Sequence, residues 1–154
     1  MTHDIRGIRD AIDPIDGTAN FLHGIPHFGI SIGLEHNKEI ICGIIYDPIK
    51  DEMFVAEKGN GSYMNDQRMR VSARSKIKDC IIFSGGPRYE SKNRELTFKE
   101  YMKLSSKVDT AIRKLGSAAL DMAYVAAGRC DGFWHRDLNY WDIAAGIILV
   151  KESG

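Results

Sequence analysis

The stretch Ala11-Ile12-Asp13-Pro14-Ile15-Asp16-Gly17-Thr18-Ala19-Asn20-Phe21 holds the densest chemistry of this 154-residue chain. Two carboxylates stand three positions apart, astride a proline whose ring fixes φ and removes an amide donor. Gly17 permits a tight turn, and a short helix is predicted from Thr18 to about His23. Aspartates on a strand-to-helix turn offer hard oxygen ligands, and the free amides after them can meet an anion. Asp-Pro and Asp-Gly are also ordinary turn dipeptides, so the spacing alone leaves both readings open.

Outward from this turn, about residues 1–84 read as mainly antiparallel strands. Phe28 to Leu34, Glu39 to Tyr46 and Glu52 to Glu57 are rich in β-branched and aromatic residues. His36-Asn37-Lys38 and Asp47-Pro48-Ile49-Lys50-Asp51 supply the turns between them. Short strands are expected near Ser62 to Met64 and Arg68 to Val71. About residues 85–154 alternate helices and strands: a strand over Cys80 to Phe83 stopped by Gly85-Gly86-Pro87, an amphipathic helix over Asn93 to Ser105 and a weaker strand over Val108 to Arg113. A helix over Ser117 to Ala127 stopped by Gly128, a strand over Cys130 to Trp134 and a helix over Tyr140 to Ser153 with Asn139 as N-cap complete the chain. This order predicts a single layered domain of the α/β or α+β class.

The last helix is apolar around most of its circumference, through Trp141, Ile143, Ala144, Ala145, Ile147, Ile148, Leu149 and Val150. Such a helix needs cover on every side, and the chain stops at its end, so part of the core is expected to be missing. Asp142 opens this helix; an acid there complements the helix dipole or adds a third carboxylate to the Asp13 and Asp16 pair.

Composition narrows the function classes. Lys plus Arg and Asp plus Glu each number 21, so the balanced charge speaks against a nucleic-acid or membrane-surface footprint. Hydrophobic residues reach 44%, enough for an ordinary core. No apolar run approaches a membrane span, and Met1 to Asp10 lacks the apolar stretch of a signal peptide. Cys42, Cys80 and Cys130 lie far apart without CxxC spacing and read as buried thiols in a reducing, cytoplasmic setting. His23 and His27 are separated by Gly24 and Pro26, which spoils a zinc pair, and Gly59-Asn60-Gly61-Ser62 is a hairpin turn without a Walker lysine.

Asp13-Pro14-Ile15-Asp16-Gly17-Thr18-Ala19-Asn20-Phe21 together with Trp141-Asp142-Ile143-Ala144-Ala145-Gly146 resembles the paired signature of the inositol monophosphatase family, nearest its bacterial extragenic-suppressor (SuhB-like) branch. Further matching stretches are Leu22 to Phe28, Tyr46-Asp47-Pro48 with Asp51-Glu52-Met53, Gly116 to Asp121, and Ala126 to Arg129 with Asp131-Gly132. The resemblance covers essentially the whole chain. It implies a layered αβαβα sandwich of the inositol monophosphatase and sugar phosphatase type, truncated at both ends. It also implies Mg²⁺-dependent hydrolysis of a small phosphorylated polyol, most simply myo-inositol 1-phosphate, with two or three Mg²⁺ per site (Mn²⁺ being an alternative) and sensitivity to lithium. By resemblance Asp13, the Ile15 carbonyl, Asp16 and Asp142 hold metal, and Thr18 with Asp16 serves catalysis. Ile15, Asp16, Gly17, Thr18, Arg113, Gly116, Ser117, Ala118, His135 and Asp142 are the expected substrate side. Three carboxylates repel a phosphate dianion until divalent cations reverse the sign, and oxygen-only ligands favour Mg²⁺ or Mn²⁺ over Zn²⁺.

Two departures accompany the resemblance. The family carries a glutamate-rich metal motif upstream, whereas the acids preceding Asp13 here are Asp4 and Asp10, neither of which matches it. His135 stands where the family commonly has a glutamate that binds substrate hydroxyls, and Asp137 replaces it only if its loop turns inward. The resemblance also leaves room for a homodimer and for a role beside the transcription antitermination machinery. Three functions therefore stand together: a phosphatase, a catalytically silent truncated remnant, and a non-enzymatic antitermination partner.

Overall fold

The computed structural model describes residues 4–5, 7–86, 90–110 and 112–154. β1 (Asp4–Ile5), β2 (Ile8–Asp16), β3 (Gly29–His36), β4 (Glu39–Asp47), β5 (Glu52–Glu57), β6 (Gly61–Met64) and β7 (Gln67–Arg68) form one seven-stranded sheet. Each strand pairs antiparallel with the next in sequence. The short helix α1 (Thr18–Leu22) interrupts this meander after β2. The second half supplies β8 (Ile82–Ser84), α2 (Arg94–Ser105), α3 (Ala118–Ala126), β9 (Gly132–Trp134) and α4 (Tyr140–Ser153), with β8 and β9 parallel. The expected mixed α/β layering is present.

The placement of α4 follows from small residues. Register aligns Ala11, Gly33, Gly43 and Ala56 across β2 to β5, and all four are buried. A β-carbon on Gly33 would stand 2.7 Å from the Ala144 Cβ, and one on Gly43 2.8 Å from the Ala145 carbonyl oxygen. The row is thus a trough into which the α4 backbone sinks. On the far side of α4 lies α3, where Gly146 admits Met122 at 2.6 Å from its missing β-carbon. Ile45, Phe54, Leu120 and Leu149, none more than 0% exposed, fill the space between sheet and helices. Burial of such side chains stabilises by roughly 1.5–3 kcal/mol each. The last helix is therefore largely covered, contrary to the expectation; Trp141, 38% exposed, and the half-buried Ile143 and Ile147 mark what remains open.

Other expectations are corrected. The strand over Val108 to Arg113 shrinks to one parallel bridge between Phe83 and Arg113. Its neighbours are drawn aside, Asp109 N–H donating to Lys78 and the Thr110 hydroxyl to Cys80. Ala111 in that stretch, and Pro87 as the stop of β8, lie outside the described residues. α2 does not bury an apolar face: Leu96, Phe98 and Met102 are exposed and Thr97 is buried. Of the three thiols only Cys130 is core; Cys42 pairs with Leu34 and Glu57 on the opposite sheet face, and Cys80 is half-buried. That opposite face carries Ile12, Ile32, Ile44 and Val55 in one cross-strand row, with Ile32 still 38% exposed. Among the described residues no helix is long and apolar enough to cross a membrane.

Gly43→Val should lift α4 from its trough. The expected loss is about 1–3 kcal/mol in urea unfolding, the range for an overpacked interior. An unchanged midpoint would show that the close approach is not a constraint.

Candidate metal centre

Side chains three apart on a regular strand point to opposite faces. Asp13 and Asp16 escape this rule because the β2–β3 register shifts between Asp13 and Asp16, an irregularity that straddles Pro14. Asp10, by contrast, keeps the regular alternation and lies opposite Leu34, one residue out of phase with buried Ala11. Asp142 arrives from the first turn of α4, whose Trp141 carbonyl accepts from Ser31 on β3 at 3.4 Å. Ligand oxygens of Asp13, Asp16 and Asp142 then lie within 4.8 Å of one another, a cluster able to hold a metal ion.

Each carboxylate is fastened by one oxygen. Asp13 Oδ1 accepts from the Ile15 amide at 3.0 Å. Asp16 Oδ2 accepts from the Ser117 hydroxyl at 2.5 Å and the Ala119 amide at 2.7 Å. Asp142 Oδ2 accepts from the Asn139 amide at 2.8 Å and its side-chain Nδ2 at 3.3 Å. The other oxygen of each remains for the cluster, an arrangement that orients three acceptors before any cation arrives. The Thr18 hydroxyl donates to the Ile15 carbonyl at 2.9 Å, which keeps its second lone pair. Asn20, which carried no assigned role in the sequence, donates to the carbonyls of His27 and Leu115 at 2.7 and 2.9 Å. It thereby ties the Gly17 turn to the Gly116 loop.

Electrostatics follow the geometry. Burial pushes Asp16 up to about 6, against the pull of Ser117 and Ala119. Burial raises Asp13 too, with Asp142 alongside adding to it. Asp121, on α3, is 2% exposed, lines the same cleft and has one oxygen without a hydrogen-bond partner among the described residues. Burial, then the Asp16 charge, pushes it up to about 8. Hard oxygen donors crowded without internal cations fit Mg²⁺ or Mn²⁺ better than a thiophilic ion.

The cleft around this cluster encloses about 540 Å³ and is lined by Asp13, Asp16, Gly17, Thr18, Gly116, Ser117, Ala118, His135 and Asp142, all named from the sequence. Arg113 does not line it; its backbone extends the β8 edge through bonds with Ile82 and Ser84, and Lys114 faces the cleft instead. Asp137 does not turn inward, since its carboxylate accepts from Ser91 and Asn93. Asp121 and Lys114 line the cleft without having been named from the sequence; the signal for Asp121 was its place in the matching stretch Gly116 to Asp121.

The raised values set a direction for pH. Asp16 at about 6 and Asp121 at about 8 exceed the ordinary 3.8, so the folded, metal-free chain retains protons that the unfolded chain releases. Their stabilising contribution is complete below 3.8 and is lost as pH climbs through about 6 and about 8. In EDTA, the melting temperature should therefore fall between about pH 4 and pH 8, and Asp121→Asn should flatten the part of that fall above about pH 6. A melting temperature that rises over this interval would contradict the assignment.

Comparison with known proteins agrees with this geometry. Residues 7–154 match the model of the inositol monophosphatase family. An inositol-1-monophosphatase of Rhizobium meliloti is 49% identical over 143 residues, covering 93% of this chain and 53% of that protein. The Nus factor SuhB of Pseudomonas aeruginosa is 42% identical over 144 residues, with the same two shares of 93% and 53%. The crystal structure of extragenic suppressor protein suhB from Bartonella henselae superposes with a TM-score of 0.92 at 50% identity, covering 96% of this chain and 56% of that one. The chain spans about half the length of the curated relatives it matches. With its signature carboxylates assembled in one cleft, the chain belongs to the inositol monophosphatase family.

Proposed function

We propose that this chain carries the metal-binding core of a Mg²⁺-dependent phosphomonoesterase, acting on a small phosphorylated polyol such as myo-inositol 1-phosphate. The convergence of Asp13, Asp16 and Asp142 within 4.8 Å carries this reading. Asp13, Asp16, Asp142 and the Ile15 carbonyl would hold the cations. When bound, divalent ions neutralise the ester's charge and activate a water nucleophile. The chain's own groups do the rest. Ser117 and Ala119 hold Asp16 in one orientation, and the Asn139 cap does the same for Asp142. Thr18 donates its proton to the Ile15 carbonyl and lines the cleft, which leaves its oxygen as an acceptor for a water there. Gly17, Gly116 and Ala118 present backbone to the ester without bulk.

A second reading rests on the relatives named Nus factor SuhB in Pseudomonas aeruginosa and Pasteurella multocida, 42% and 40% identical. Retention of RNA polymerase or elongation factors on the immobilised chain would favour it, and their absence would remove it.

Phosphate release from myo-inositol 1-phosphate is expected with Mg²⁺ and not with EDTA. Asp142→Asn is expected to lower the rate by about a hundred-fold or more, the scale for losing a charge-stabilising group. Release that ignores Mg²⁺ would overturn the metal-dependent mechanism, and a chain that neither turns over nor is stabilised by Mg²⁺ in thermal melting would overturn the proposal in favour of a silent remnant.

A further inference from the structure

The first turn of α4 is braced within itself. Its capping box closes Asn139 and Asp142 on each other, so the Asp142 carboxylate moves only with the whole turn. Whatever fastens that turn to the sheet therefore decides how far Asp142 stands from Asp13 and Asp16. The trough beneath α4 lets the helix come close, yet small residues offer few side chains for it to interlock with along its axis. The Ser31 hydroxyl reaches the Trp141 carbonyl only at 3.4 Å, a long bond.

Tyr140 supplies a stronger tie. Its hydroxyl donates to the Glu35 carboxylate on β3. Arg9, the register partner of Glu35 on β2, holds its guanidinium 4.8 Å from the centre of the Tyr140 ring. One phenol is thus gripped at its tip by an anion and on its ring by a cation, and all three side chains are half-buried. The grip joins the first turn of α4 to β2, the strand that carries Asp13 and Asp16. Tyr140, Glu35 and Arg9 stand outside the cleft lining, so they reach a bound ion only through the placing of Asp142.

Resting on the phosphatase reading above, we propose that Tyr140 is a positioning residue: clamped between Glu35 and Arg9, it fixes the first turn of α4 and so the fit of the three carboxylates around a cation.

Mn²⁺ binding to the full chain, followed by the EPR signal of the free ion well below the melting temperature, tests this. Tyr140→Phe is expected to weaken binding about three- to ten-fold in a chain that stays folded, the scale of one charge-assisted hydrogen bond felt in part at the ion. Glu35→Ala should weaken it equally, and the two changes together should weaken it no further than either alone. Glu35→Gln, whose amide oxygen still accepts from the phenol, should bind nearly as the parent chain does. Tyr140→Phe binding Mn²⁺ as tightly as the parent, even with a lowered melting temperature, would reduce the clamp to a structural contact and overturn the inference. Losses that add in the double variant, or a Glu35→Gln chain as weak as Glu35→Ala, would also overturn it; in each of these cases the phosphatase reading stands. A parent chain that binds no Mn²⁺ would bring down that reading and this inference together.

Discussion

The approach of α4 to the sheet is the constraint on which the site depends. Asp142 meets Asp13 and Asp16 only because its helix backbone descends onto Gly33 and Gly43, where a β-carbon would leave under 3 Å to the nearest atoms. Ridge-and-groove packing over ordinary side chains keeps a helix axis farther off. Here the trough of Ala11, Gly33, Gly43 and Ala56 removes that spacing across four strands. The carboxylate triad is thus a product of small residues that never touch a ligand.

Bringing three acids together is electrostatically unfavourable without a cation, and the fold meets this cost locally. Every acid has one oxygen on a donor supplied by its own or an adjacent turn: Ile15 for Asp13, Ser117 and Ala119 for Asp16, Asn139 for Asp142. Such tethers fix rotamers, so that binding a divalent ion need not also order its ligands. Asp121 is the exception, buried beneath the cleft without such relief for one of its oxygens among the described residues.

Much of this was legible in the sequence, and the failures share a cause. The Asp13 to Phe21 turn, the Asp142 helix and most lining residues follow from local pattern and resemblance, because turns, caps and β-branched runs report on their own neighbourhood. The shift of register at Pro14, which sets Asp13 and Asp16 on one side, depends on pairing with β3 and has no local signature. Arg113 and Lys114 differ by one position along an irregular segment, and only its bridge to Phe83 decides which faces the cleft. α2 misled because its apolar spacing suggested a buried face, whereas Leu96, Phe98 and Met102 stand in solvent. The thiols misled likewise, Cys42 lying on the sheet face away from α4.

The unbroken neighbour-to-neighbour order of the seven-stranded sheet has a consequence for how the cage comes into being. Hairpins of this sort close over short loops and gain their contacts early, while α4 must return across most of the chain before it can dock. Asp13 and Asp16 share β2 whereas Asp142 sits on α4, so a cation that requires all three recognises only a chain in which α4 has docked. Affinity for such an ion would therefore report on how well α4 is seated against the sheet.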